Sequence, residues 1–202
     1  FQTTVHILDD GVGIFKKIKD YFGFGSLDDA IIELSKGKLT TDKQRHSGEG
    51  IFFTSRIMDD FCIYSDQKAY FFNKYEEENT KDFEIDQNGA TYVLLRLSNS
   101  SKKQLRDVFD RYTNDDGDFS KTTIPIKNII GATPISRSQA KRVCSRLENF
   151  KEVEIDFTDV DFIGQGFAHE MFVVFANNHP DVKLIPTNMN DDIRKMHRHV
   201  LA

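Results

Sequence analysis

The chain has 202 residues and a mass of 23.3 kDa, with 39% hydrophobic and 29% charged residues, proportions that exclude a wholly disordered or fibrous protein. Its net charge is −5 and its pI near 5.7, and no dense Lys/Arg block interrupts the sequence, which argues against a nucleic-acid surface. No apolar run approaches the roughly 18 residues of a membrane span, and no signal peptide is read, so the expected location is cytoplasmic with no membrane partner.

Eighteen Phe and six Tyr, with no Trp, supply volume for one or two cores. Cys62 and Cys144 are isolated thiols inside apolar segments, without C-x-x-C spacing. Buried reduced cysteines are expected rather than a metal or redox motif.

The first predicted strand covers residues 5–8, with His6 its only polar interruption. Asp9-Asp10-Gly11-Val12-Gly13-Ile14-Phe15 follows. An acid and a Gly-x-Gly turn at a strand end can hydrogen-bond a base edge while bare backbone approaches the same ligand. The alternative is a plain Asp-Gly turn. From Ile14 the periodicity becomes helical, with Ile14, Ile18 and Phe22 on one face and Lys16, Lys17 and Lys19 on the others. Gly23 and Gly25 break this helix. Ser26 is the predicted N-cap of the next, with Asp28 and Asp29 in its first turn, Ala30, Ile31 and Leu34 behind, and Gly37 as C-cap.

Residues 38–47 read as a polar loop. Gly48-Glu49-Gly50 then opens a predicted helix over residues 50–60 bearing Phe52, Phe53, Ile57 and Met58. Glycines at a helix N-terminus leave free N–H groups, a positive dipole end and no side chains in the way, which suits phosphate. A hinge after a loop is the alternative. Neither a Walker nor a Rossmann pattern is present.

Strands are predicted over 61–64, 69–75 and 91–97, with bends at 76–78 and 87–89. Apolar residues of both parities at 92–95 predict a strand covered on both faces. Ser101-x-x-Gln104 matches a capping box for a helix carrying Leu105, Val108, Phe109 and Tyr112. Asn114-Asp115-Asp116-Gly117-Asp118 reads as an Asp-Gly turn and a domain boundary. A calcium loop here would need Tyr112 and Thr123 as ligands, which excludes it.

Strand and helix then alternate. A strand over 122–130 is interrupted early by Pro125, and Ser136-x-x-Gln139 is a second capping box, opening a helix with Ala140, Val143, Cys144 and Leu147. A strand covers 153–157. A helical stripe of Phe167, Met171, Val174 and Phe175 ends before Pro180. A strand covers 182–185, and a last helix after Asn190 carries Ile193, Met196 and Val200. This order predicts a small sheet covered by helices.

The succession of a strand, DDGVGIF, two short helices and a loop, HSGEGIFFTSR and further strands resembles the GHKL ATPases, the fold of histidine-kinase ATP-binding domains, gyrase and mismatch-repair ATPases. In that family an Asp-x-Gly-x-Gly turn contacts adenine, and a later glycine pair at a helix start holds the phosphates beneath a mobile lid. The resemblance implies that Asp9 contacts adenine, with Gly11 and Gly13 as the first glycine pair. Gly48 and Gly50 are the second, within a phosphate turn of Ser47, Gly48, Glu49, Gly50 and Ile51, and residues 16–47 form the lid region. The implied cofactor is ATP. The family holds magnesium through an Asn on a helix preceding the adenine strand, and this chain opens after that point. Mg2+ is therefore expected only with that helix, and the chain alone is expected to be an inactive fragment of a possible ATPase or protein kinase. Glu49 would repel phosphates if it faced them. His46 and Ser47 could donate to a γ-phosphate or be ordinary loop residues.

ISRSQAKRVCSRLENF, EVEIDFTDVDFIGQGFAHEMF and KLIPTNMNDDIRKM resemble the STAS-like domain of unknown function found fused to such ATPases. Related STAS domains are anti-sigma-factor antagonists, phosphorylated on a Ser at the start of the helix after the central strand. Here that turn reads Phe162-Ile163-Gly164-Gln165-Gly166-Phe167 and has no hydroxyl, although Thr158 lies slightly upstream. Gly164 and Gly166 could form an anion nest or allow tight packing. His169, Glu170 and His179 do not have the HExxH spacing of a zinc site. Arg194, Lys195, His197, Arg198 and His199 read as a solvated helix face.

The fold class expected is α/β (α+β). The C-terminal part of a GHKL/Bergerat-type α/β sandwich spans residues 1–112, a linker spans 113–121, and a small STAS-like α/β domain spans 122–202. The expected function is intracellular regulation, in which an adenine nucleotide on the first part alters contacts of the second with a protein partner. The rival is a non-enzymatic interaction module whose nucleotide site is inactive.

Overall fold

Two sheets, each with its own helices, give this chain the mixed α/β character expected from its sequence. The computed structural model describes residues 1–42, 44–72, 89–130 and 132–202. They form two compact units, Phe1–Asp110 and Arg111–Ala202.

Unit 1 comprises β1 (Gln2–Asp9), α1 (Ile14–Phe22), α2 (Leu27–Lys36), α3 (Gly50–Ile57), β2 (Asp60–Ser65), β3 (Lys68–Phe72) and β4 (Thr91–Ser98), followed by α4 (Leu105–Tyr112), in whose last turn the division falls. Its sheet is antiparallel throughout, in the order β1-β4-β2-β3. One face carries the core of Phe15, Ile18, Ala30, Leu34, Leu39, Phe61, Ile63 and Tyr70. On the other face Cys62, Tyr92 and Leu94 form a smaller buried cluster. The double covering expected of residues 91–97 is therefore found in β4, where both parities are wholly or partly buried.

The helix ends follow local chemistry. Gly23 turns left-handed (φ 70°) and donates its N–H to Lys19 O, closing α1. Ser26 Oγ accepts the Asp29 N–H at 3.1 Å, opening α2. The capping box expected at Ser101 does not form. Ser101 is held in a turn by its N–H to Ser98 O (2.9 Å), its Oγ accepts from Lys103 N, and Gln104 O takes the first helical N–H, from Val108. The helix thus starts four residues beyond the serine, out of reach of its hydroxyl. Residues 73–75 of a predicted strand and the bend at 76–78 lie outside the described residues, as do 87 and 88 of the second bend.

Unit 2 contains β5 (Lys121–Pro125), α5 (Ile126–Ile130), α6 (Arg137–Cys144), β6 (Glu152–Asp156), α7 (Gln165–His169), α8 (Ala176–Asn178), β7 (Lys183–Thr187) and α9 (Asp191–Leu201). Wider π-type turns over Glu170–Phe175 join α7 to α8. The sheet is parallel, in the order β5-β6-β7. Val153 and Ile155 of β6 are fully buried with Val143, Leu147, Phe167, Met171 and Ile193. Asn114 Oδ1 accepts N–H groups of Asp116 and Asp118, and Gly117 has φ 83°, which makes residues 114–118 the expected turn. The capping box at Ser136 forms in both directions: Gln139 N donates to Ser136 Oγ, and Ser136 N to Gln139 Oε1.

Some elements are shorter than their sequence reading: the helix expected over 50–60 ends at Ile57, with Asp60 already in β2, and the helix expected to carry Leu147 ends at Cys144. The strand expected over 122–130 ends at Pro125, and α5 begins at Ile126. Proline lacks the N–H a longer ladder would use, and fully buried Ile126 anchors the helix that replaces the strand.

Candidate functional site

At the end of β1, antiparallel register sets Asp9 opposite Thr91, and Thr91 opposite Ser65 on the other side of β4. Asp9 Oδ1 accepts the Gly11 N–H at 2.8 Å and the Thr91 N–H at 3.3 Å. Thr91 Oγ1 in turn accepts the Ile14 N–H at 3.1 Å, fixing the start of α1. Gly13 sits at φ 84°, and a Cβ there would come within 2.4 Å of Asp66 Oδ2 and 2.7 Å of Ser65 Oγ. Gly89 approaches the same turn, its would-be Cβ lying 3.0 Å from Gly11 O. Close packing thus accounts for Gly13, and Asp9 is an exposed carboxylate with one oxygen engaged in holding the turn.

α1 leads from this corner into a cavity of about 420 Å³. Ile14, Lys17 and Ile18 line it from α1, Leu34 from α2, and Leu39, Thr40, Thr41, Arg45 and His46 from the following loop. The fourth wall is the second glycine turn itself, Ser47, Gly48, Glu49, Gly50 and Ile51. The structure brings these five turn residues to one cavity, while Asp9, Gly11 and Gly13 stand outside its lining.

The two glycines of this turn differ. Gly48 has φ 78°, and a Cβ would meet the Leu39 backbone at 2.6–2.8 Å, so bare backbone is required to seat the loop. Gly50 has nothing within 4 Å of its would-be Cβ and begins α3. Glu49 occupies the N-cap without a side-chain hydrogen bond to the helix, so its carboxylate does not cap the first turn of α3, whose Gly50 and Ile51 line the cavity.

α3 is anchored at its far end. Arg56 is 7% exposed, donates to Ser35 O (3.0 Å), Phe52 O (3.3 Å) and Ser55 Oγ (2.8 Å), and stacks 3.4 Å above the Phe52 ring. Ser35 lies in the last turn of α2, two residues before Gly37, so Arg56 ties α3 to the root of the loop that lines the cavity. Glu33 and Lys36 of α2 form an equally buried ion pair at 2.6 Å. Sequence reasoning missed Thr91, Lys17 and Arg56. Lys17 sits in a run of lysines that reads as a solvated face, and nothing local marks a threonine 82 residues from Asp9 or an arginine turned inward.

In unit 2 the strand-to-helix turn is explained by packing. A Cβ on Gly164 would lie 2.6 Å from Ile135 O, and Gly164 N donates to Pro134 O at 2.9 Å. Thr158 is exposed and donates through Oγ1 (2.7 Å) and N–H (2.9 Å) to Asp156 Oδ1, which also accepts from Asn188 Nδ2. Burial opposes ionisation of Asp156, but these hydrogen bonds and nearby Arg111 hold its carboxyl below the usual range. Arg194 and Lys195 pair with Asp191 and Asp192 on the exposed side of α9. Among the described residues no group of three His, Cys, Asp or Glu is placed to hold a metal ion, and no helix is long and apolar enough to cross a membrane.

Unit 2 is thus a three-stranded parallel sheet with helices packed on the face of Val153 and Ile155. Residues 139–194, running from α6 into α9, match the family model of a STAS-like domain of unknown function (DUF4325). No curated protein and no solved structure matches the chain.

Proposed function

We propose that unit 1 binds an adenine nucleotide, with phosphate at the N-terminus of α3 and the base edge at Asp9, and that this occupancy regulates protein contacts made by the STAS-like unit. The observation that carries the reading is the uncapped start of α3, which opens with Gly48 and Gly50 into a cavity lined also by Lys17, Arg45 and His46. Free N–H groups, a positive helix end and the charges of Lys17 and Arg45 favour an anion there, against the Glu49 carboxylate in the same lining. Apolar Ile14, Ile18, Leu39 and Ile51 line the rest of the cavity. Asp9 keeps its second oxygen for the exocyclic amine of adenine. ATP enters as a bound ligand, with no group assigned to cleave it, and magnesium is not required for this contact.

Isothermal titration of the whole chain with ATP and with GTP tests the reading. Weak saturable ATP binding, lost in Lys17→Ala and reduced in Asp9→Ala, is expected. Equal affinity for GTP, or heats unchanged by both substitutions, would remove the adenine assignment.

The second reading is an interaction module whose glycine turns serve packing alone. The tight seats of Gly13 and Gly48 favour it, whereas the open position of Gly50 does not.

A further inference from the structure

β1 is an edge strand that carries none of the usual protection. Among the described residues it pairs only with β4, and all eight of its residues are exposed. Val5, Ile7 and Leu8 are 43%, 52% and 63% exposed. Sheet edges are normally blunted by lysine, proline, a bulge or brevity. From Gln2 to Leu8 this edge has no Lys, no Arg, no Asp, no Glu and no Pro, and its register with β4 is unbroken.

The hydrogen-bond parity of the free edge follows from its neighbours. Asn99 N donates to Phe1 O, which makes that opposed couple a hydrogen-bonded one. Asp59 N donates to Arg96 O, so the even residues of β4 direct their carbonyls toward β2 and the odd ones serve β1. Hydrogen-bonded and non-bonded couples alternate along an antiparallel ladder. Thr3, Val5, Ile7 and Asp9 therefore bond inward to β4, and Gln2, Thr4, His6 and Leu8 present free N–H and C=O groups outward.

We propose that the outer edge of β1 is a strand-addition site for a second copy of this chain, the two β1 strands pairing antiparallel about a two-fold axis at Val5. This register alone uses every outward group. Thr4 pairs with His6 of the second copy and Gln2 with its Leu8, each couple exchanging both N–H···O bonds. A two-fold at His6 or at Thr4 would leave an outward residue at one end of each strand unpaired. Placing the axis at Val5 also sets Ile7 beside Thr3 of the second copy, on the face that Val93 and Leu95 share with the main core. No like charges become opposed, because residues 2–8 carry no acidic or basic group besides His6. A chain with a net charge of −5 thus has, over Gln2 to Leu8, a seven-residue edge on which two copies meet without charge repulsion.

Sedimentation equilibrium of the full chain from micromolar to millimolar concentration, paired with amide hydrogen exchange, tests the proposal. The expected result is a monomer–dimer equilibrium between 23.3 kDa and twice that mass. Amides of Thr4, His6 and Leu8 should slow as the dimer fills, while those of Val5 and Ile7 stay constant. Thr4→Pro removes an outward donor and leaves the β4 ladder intact. Thr4→Lys adds a charge next to the axis without touching the backbone. Each should raise the dimer dissociation constant at least tenfold, with an unchanged circular dichroism spectrum. A strict monomer, a dimer that neither variant weakens, or outward amides already protected in the monomer would each overturn the proposal.

Discussion

The two glycines that begin α3 should respond in opposite ways to a single methyl group. At Gly48, alanine meets a backbone angle of φ 78°, which costs an L-residue about 1–2 kcal/mol. Its Cβ would also lie 2.6 Å from Leu39 N and 2.8 Å from Leu39 C and O. Those are backbone atoms beside a core residue, so relief requires moving the loop, and overpacking of this kind costs about 1–3 kcal/mol more. Gly48→Ala should therefore lose about 2–5 kcal/mol in total. At Gly50 no atom lies within 4 Å of the added Cβ and φ is not left-handed. Alanine is the better helix former, so Gly50→Ala should be neutral or stabilising by up to about 1 kcal/mol. Urea unfolding followed by tyrosine fluorescence measures both, since the chain has no Trp. Gly50→Ala should at the same time weaken nucleotide binding, because the methyl group enters the space that a phosphate would occupy. Equal destabilisation by the two variants, or a Gly48→Ala protein as stable as its parent, would refute the division between a packing glycine and a ligand glycine.

Three further outcomes are expected. Arg56→Ala should destabilise unit 1 by about 1–3 kcal/mol in a urea titration, the usual loss when buried acceptors such as Ser35 O and Ser55 Oγ are left without their donor. His197 packs edge-on to Phe172 at 4.5 Å, and burial lowers its pKa below the ordinary 6.5. The unfolded chain therefore takes up that proton first as pH falls, so this contribution is complete above pH 6.5 and fades below it. Thermal melts from pH 7.5 down to pH 5 should show a decline that His197→Leu reduces, at about constant ionic strength. Burial pushes the Cys62 thiol up to about 12, so a maleimide reagent at neutral pH should modify it only after denaturant is added.

The parts of this fold that sequence made legible are those decided within a few residues. Ser26, Ser136 and Asn190 cap their helices through donors three positions away, and Gly23 and Gly117 mark turns that need a positive φ. Pro125 was legible as an interruption, but whether a strand resumes or a helix begins depends on where Ile126 is buried. Ser101 shows the same limit: its spacing to Gln104 fits a capping box, and a turn back to Ser98 O decides otherwise. In the candidate site the glycine turns were readable as motifs, yet their separate duties were not. Gly48 answers to Leu39 and Gly13 to Asp66, contacts set by the tertiary fold. No local pattern singles out Arg56, Lys36 or Glu33, and the structure buries all three.

Backbone amide shifts of the full chain during an ATP titration test the central claim most directly. Binding at the α3 end predicts saturable shifts at Gly48, Glu49, Gly50 and Ile51, joined by Lys17 and by Gly11 beside Asp9, with no such shifts in Lys17→Ala. Shifts confined to other residues, or none at all up to millimolar ATP, would contradict it.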